Sequence, residues 1–342
     1  MFTNANPALF GLLSTNITFD SGISVGDAEY VTLTASTNTP SAIRKSMDTW
    51  KWQATAANGT TVATNTFAHT GPHTAYVIFN EPQAPWTNVV GAVNNAWTNA
   101  LEFVIDKTGA NGKATAHDAL SAITSYLHSG HGMSYDTNRG ATAFINLSST
   151  TFDFTSYINP AQTNRTVNCY DQAGGVYVTS RLLGIPSEFV FMGLGEDIYG
   201  NYNGKPPFGY IRAINLVGVG LCNNPFAPHA TAPNNILLLN APSGDTNLVS
   251  PNRTSFGNHA FVRYTGLIYD ACAGPYLGVG DLQQYATASI DITSIPERQW
   301  SPDSTGWSAW GVSWSGDTNG VFSATEVNNA VDPAQQMIKG VQ

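Results

Sequence analysis

The chain has 342 residues, only 11% of them Asp, Glu, Lys or Arg, and a formal net charge of -9. That charged share is less than half the usual one, while Asn, Thr, Ser, Gly and Ala abound, a composition of secreted or delivered proteins more than of cytosolic enzymes. An acidic surface attracts neither nucleic acid nor an anionic membrane, and no run of 18 apolar residues is present to span a bilayer.

Taken in order, the N-terminus reads Met1-Phe2-Thr3-Asn4-Ala5-Asn6-Pro7, with no basic segment and no sustained apolar stretch, so no secretory signal is expected in this chain. Residues 16–19, 30–35, 49–54, 61–66 and 74–79 read as short strands, separated by turn residues at Ser21-Gly22, Asn38-Thr39-Pro40, Asn58-Gly59 and Gly71-Pro72. This even spacing predicts a β-sandwich module over residues 1–85, with Asn58-Gly59 as its best hairpin turn. Glycan or carrier contact is an expectation for that module, helped by Trp50 and Trp52. Glu81-Pro82-Gln83-Ala84-Pro85-Trp86 reads as a linker into a second domain spanning 86–342.

Helical spacing covers 89–105 and 115–128, broken by Gly109 to Gly112. His128 and His131 flank Gly130, but no third ligand lies nearby, which disfavours a metal there. Residues 148–160 read as a polar connector. Cys169, Ala173, Val176, Ser180 and Leu183 then fall on one face of a helix that Thr166 or Asn168 can cap and that Gly184 ends, with Pro186 barring continuation. A cysteine in the first turn sits among unpaired N–H groups at the positive end of the helix dipole, and both favour the thiolate.

A strand, Glu188-Phe189-Val190-Phe191-Met192-Gly193, leads into a long insertion at about 194–253, rich in Gly, Asn and Pro, with strand-like runs at 210–219 and 236–239. Its aromatics Tyr199, Tyr202, Phe208 and Phe226 are candidates to line a substrate cleft, a surface excursion being the alternative. His259 to Tyr264 and Leu267 to Ala271 form two strands around a tight turn at Thr265-Gly266. In such a hairpin His259 and Asp270 come out at the same end, so the carboxylate can hold the imidazole in the tautomer that accepts a thiol proton. With Cys169 kept free, Cys222 and Cys272 either pair or remain buried thiols; pairing would imply an oxidising compartment.

Residues 286–295 look like a further strand, followed by Trp300, Trp307, Trp310 and Trp314. Ser315, Asp317, Asn319 and Glu326 stand at the first, third, fifth and twelfth positions of an EF-hand-like loop, with Gly320 at the sixth. Ser in place of Asp at the first position sets a plain Asp-Thr-Asn-Gly turn against structural calcium.

The Cys169 helix with its Gly184-Ile185-Pro186 ending, the His259-Ala260-Phe261-Val262 strand and Tyr269-Asp270 resemble the transglutaminase-like cysteine enzymes, whose core is related to papain. Ala122-Ile123, Tyr126-Leu127 and Tyr135-Asp136 are similar to the helix preceding the nucleophile in that family. The resemblance implies an α+β fold in which the Cys helix packs on an antiparallel sheet bearing His and Asp, with Cys169 as nucleophile, His259 as base and Asp270 as orienter. Asn168, immediately before the cysteine, becomes the oxyanion candidate. The implied chemistry is attack on an amide of a protein or peptide substrate through a thioester, with no cofactor required. Hydrolysis or deamidation is expected first, cross-linking of glutamine to an amine second; an inactive binding or adhesion module is the alternative from another class.

Overall fold

The computed structural model describes residues 2–4, 14–15, 38–58, 61–86, 94–137, 140–146, 149–193, 209–210, 213–222, 255–256, 258–280, 285, 298–300, 307–309, 331–333 and 338–341. The protein is mixed α+β and divides into two compact units, Met1–Phe79 with Asn111–Ala114, and Asn80–Ala110 with Thr115–Gln342.

In the first unit, strands β1 (Phe2–Asn4), β2 (Ser14–Thr15), β3 (Arg44–Asn58) and β4 (Thr61–Val77) form an antiparallel sheet in the order β2-β1-β3-β4. Asn58 pairs with Thr61, so a two-residue connection joins the long strands where the Asn58-Gly59 signal predicts it. Gly71-Pro72, expected to separate two strands, instead lies within β4. Asp48 pairs with His73 and Trp50 with Thr70, which leaves one extra residue on β4, and a β-bulge absorbs the turn-forming dipeptide without ending the strand. A second bulge falls between the pairs Trp52–Ala68 and Gln53–Thr66. The expected strands at 16–19 and 30–35 lie outside the described residues, as do the side chains of Trp50 and Trp52.

Near the start of the second unit, the last two of the six residues read as a linker, Pro85 and Trp86, are buried, and Trp86 Nε1 donates to Val178 O at 2.6 Å. Helix α1 (Asn94–Glu102) runs into a π turn over Phe103–Lys107, and α2 (Ala116–Ser125) into another over Tyr126–Gly130. The Thr115 hydroxyl accepts from the Asp118 N–H at 3.1 Å and caps α2. Strands β5 (Ser134–Tyr135), β6 (Ile145–Asn146) and β7 (Thr151–Phe152) precede α3 (Phe154–Ile158), and β8 (Thr166–Val167) leads into α4 (Cys169–Leu182). The segment read as a polar connector therefore holds a strand and a helical turn. Phe152, Phe154 and Tyr157 are its buried residues, too few and too close for a helical period to register.

Beyond α4 come β9 (Glu188–Gly193), β10 (Gly209–Tyr210), β11 (Ala213–Leu216), β12 (Gly220–Cys222), β13 (Ser255–Phe256), β14 (Asn258–Tyr264), β15 (Leu267–Asp270) and β16 (Tyr276–Val279). Short strands β17 (Arg298–Trp300), β18 (Trp307–Ala309), β19 (Val331–Pro333) and β20 (Gly340–Val341) follow. The main sheet has five antiparallel strands in the order β16-β15-β14-β9-β19. Thr265 (φ 50°) and Gly266 (φ 83°) both lie in the left-handed region, the type I′ geometry that matches strand twist in a two-residue hairpin.

Helix α4 packs on β14, β15 and β9, with α1 and α2 also against it. Its sequence spacing predicts one buried face, yet almost every residue is buried, including Asp171, Gln172, Thr179 and Ser180. Total enclosure is possible because Gly174 and Gly175 carry no side chain. A Cβ at Gly174 would lie 2.7 Å from the Phe152 ring, and one at Gly175 would lie 2.6 Å from the Tyr157 hydroxyl. The aromatic residues Phe152, Phe154 and Tyr157 thus cover the side of α4 remote from the sheet, with Trp86 and Phe103 edge-on to Phe154 at 5.5 and 5.8 Å.

Candidate active site

The N-terminus of α4 is built by a reciprocal cap. The Asn168 side-chain oxygen accepts the Asp171 N–H at 3.1 Å, and the Asp171 carboxylate accepts the Asn168 N–H at 3.2 Å. Asp171 also accepts from the N–H groups of Ala143, Phe144 and Ile145, at 2.8, 2.9 and 3.1 Å. Burial pushes its carboxyl up to about 6 against the pull of these donors, so it is ionised at neutral pH, the form that accepts all four. At the other end, Ile185 N–H bonds Ser180 O and Gly184 N–H bonds Arg181 O, a Schellman ending with Gly184 at φ +76°. These local contacts fix where the first residue of the helix, Cys169, sits.

His259 lies near the start of β14 and Asp270 at the end of β15. The register Val262–Tyr269 and Arg263–Ile268, continued, sets Asp270 near His259 at the same end of the hairpin. His259 Nε2 donates to Asp270 Oδ2 at 2.8 Å, with the two side chains 0% and 1% exposed. Because a carboxylate only accepts, this bond puts a ring proton on Nε2. The second ring nitrogen, Nδ1, is buried, and the Cys169 side chain acts on the same ring. Burial alone lowers the imidazole pKa, but the Asp270 carboxylate and then the neighbouring Cys169 thiol outweigh it and hold it up at about 10. Cys169 is 3% exposed. The fold therefore brings together a cysteine at a helix N-terminus, an imidazole on which that cysteine acts, and a carboxylate bound to the imidazole Nε2.

Two residues that the sequence did not single out hold this group. Tyr285, fully buried, donates its O–H to Asp270 Oδ2 at 2.7 Å, while Oδ1 accepts the N–H groups of Cys272 at 2.7 Å and Ala273 at 3.2 Å. Gln172, one turn beyond Cys169, donates through Nε2 to Ala271 O at 3.1 Å and to Leu127 O at 3.0 Å, and its carbonyl accepts the Tyr157 O–H at 2.6 Å. Gln172 thereby ties the cysteine helix to the residue following Asp270. A polar side chain one turn from the cysteine, on the side of a buried helix, was a readable signal; a lone tyrosine at 285 carries none, because its partner is found only in the fold.

The remaining expected site residues divide three ways. Asn168, the oxyanion candidate, has its carboxamide engaged at both ends, with Nδ2 donating to Gly140 O at 2.9 Å, so it acts as a cap. No described residue accepts the Cys169 backbone N–H, which leaves it at the helix tip beside the thiol. His128 donates through Nδ1 to Ala271 O at 3.1 Å and His131 through Nε2 to Tyr157 O at 2.8 Å; burial pushes His131 down to about 4, so it is a neutral packing residue. Cys272 is buried, and the side chain of Cys222 lies outside the described residues, so their pairing does too. Tyr199, Tyr202, Phe208 and Phe226 also lie outside, as do Ser315, Asp317, Asn319 and Glu326 and the strands expected at 236–239 and 286–295.

Of the insertion, the described β11–β12 hairpin is stitched to the segment after Asp270. Val217 N–H bonds Cys272 O at 2.9 Å and Gly274 N–H bonds Asn215 O at 3.0 Å. Among the described residues no group of three His, Cys, Asp or Glu side chains is arranged to hold a metal, and no helix is long and apolar enough to cross a membrane. No protein-family model matches the chain, and no curated protein is found similar to it.

Proposed function

We propose that this protein is a thiol-dependent acyl-transfer enzyme with Cys169 as nucleophile, His259 as base and Asp270 as orienter, in a core of the transglutaminase-like, papain-related kind preceded by a β-sandwich module. The observation that carries the reading is the hydrogen bond from His259 Nε2 to Asp270, which leaves Nδ1 buried and clear of the carboxylate, with Cys169 acting on the same ring. In the reaction, Nδ1 takes the thiol proton and the Cys169 sulfur forms a bond to the carbonyl carbon of an amide. The C–N bond breaks as Nδ1–H passes its proton to the leaving nitrogen, giving a thioester. Water then adds, its proton goes to Nδ1, and C–S cleavage returns the thiol and releases a carboxylate. The Cys169 N–H is placed to donate to the oxyanion at each tetrahedral stage. Hydrolysis of a peptide or glutamine amide is the outcome we favour, with a low-charge chain of this kind working outside the cytosol.

The test pairs two measurements. Iodoacetamide is expected to label Cys169 near neutral pH ahead of Cys222 and Cys272; equal, sluggish labelling of all three would sink the catalytic reading and leave a binding module. Incubation with a glutamine-containing peptide and a fluorescent amine is expected to release ammonia or cleaved peptide. Incorporation of the amine would instead identify a cross-linking enzyme.

A further inference from the structure

We propose that Tyr285 is a positioning residue of this site, setting both the aim and the basicity of His259 through Asp270. The inference rests on the acyl-transfer reading for its consequence, but its geometry is independent. The Tyr285 O–H and the His259 Nε2–H converge on one oxygen, Asp270 Oδ2, at 2.7 and 2.8 Å. The other oxygen is held by two backbone N–H groups, so the carboxylate has a donor on each side and one orientation. Tyr285 is itself held by ring contacts to Phe261, two residues along β14 from His259, and to Tyr276, the β16 partner of Asp270, both at 4.9 Å between centroids. Its hydroxyl is therefore fixed by the strands that carry the imidazole and flank the carboxylate.

A neutral donor on Oδ2 draws electron density from the oxygen that stabilises the imidazolium. It weakens the hold of Asp270 on the ring proton while keeping the carboxylate turned toward Nε2. Removing the hydroxyl should raise the His259 pKa and leave the carboxylate less well aimed, slowing proton delivery to the leaving amine.

The test uses the full chain with labelled histidine, following the His259 ring by NMR as a function of pH. Tyr285→Phe, which retains the ring contacts, is expected to move the His259 titration upward by a few tenths to about one pH unit. It should also lower kcat about tenfold with KM within about twofold. Titration unchanged or moved downward overturns the proposal. So does the same upward shift in Phe261→Leu, which loosens the ring contact and spares the hydroxyl. Should Tyr285→Phe fail to fold, 3-fluorotyrosine incorporated at position 285 donates a stronger bond and must move the titration the opposite way. If the wild type turns over no acyl substrate yet the imidazole responds to Tyr285→Phe, the acyl-transfer reading fails and the positioning role stands. Turnover with an imidazole that ignores the substitution removes the positioning role and keeps acyl transfer.

Discussion

At the scale of single residues, Asp270 accepts four donors, from His259, Tyr285, Cys272 and Ala273, and so has no freedom to rotate away from the ring. Asp270→Asn keeps the shape but presents an amide that can donate to Nε2 and favour the wrong tautomer. We expect kcat to fall by roughly 10²- to 10⁴-fold. The pH profile should move as well. His259 is held up at about 10 by Asp270 and Cys169, so the alkaline limb of kcat/KM should lie well above the ordinary histidine value of about 6.5. In Asp270→Asn that limb should drop toward neutrality; a limb unmoved by the substitution would remove Asp270 from the site. Cys169→Ala should leave turnover at background and Tm within about 2 °C, since it trades one small buried side chain for another.

At the scale of elements, the parts legible in the sequence are those written in local chemistry. Asn168 and Asp171 at capping-box spacing, Gly184-Ile185-Pro186 at the helix end, and Thr265-Gly266 between β-rich runs each act within a few residues, and each forms in the fold. The juxtaposition of His259 and Asp270 followed from that hairpin alone. What could not be read depends on distant partners: the enclosure of α4 by aromatics from residues 86–157, the docking of β11–β12 on the Asp270 segment, and Tyr285. The bulged β4 was missed because Gly71-Pro72 signals a break, while its accommodation is decided by the partner strand. Gly175→Ala tests the enclosure. Its Cβ would press on Tyr157, whose hydroxyl bonds Gln172, so we expect a loss of about 1–3 kcal/mol in urea unfolding with the m-value unchanged. Asn168→Ala removes one cap bond and should cost about 1 kcal/mol.

At the scale of the whole molecule, the buried His259 couples folding to pH. Its pKa is higher folded, about 10, than the roughly 6.5 of an unfolded chain, so the folded state retains a proton that the unfolded state has released between those values. The corresponding stability is fully present below about pH 6.5 and lost as pH rises toward 10, at up to about 1.4 kcal/mol per pH unit. Chemical denaturation across this window should show the decline, and His259→Gln should flatten it. A wild-type curve as flat as the variant's would mean that the imidazole is not charged in the fold.

The sealing of α4 has a consequence for how the protein fails. The sulfur stands on the same rod that fills the middle of the larger unit, so no peripheral segment of that rod can melt and displace the sulfur while the interior survives. Heat inactivation and collapse of the tyrosine and tryptophan fluorescence should coincide at one temperature. Variants recovered for lost turnover along the rod will mostly be variants that have lost their centre.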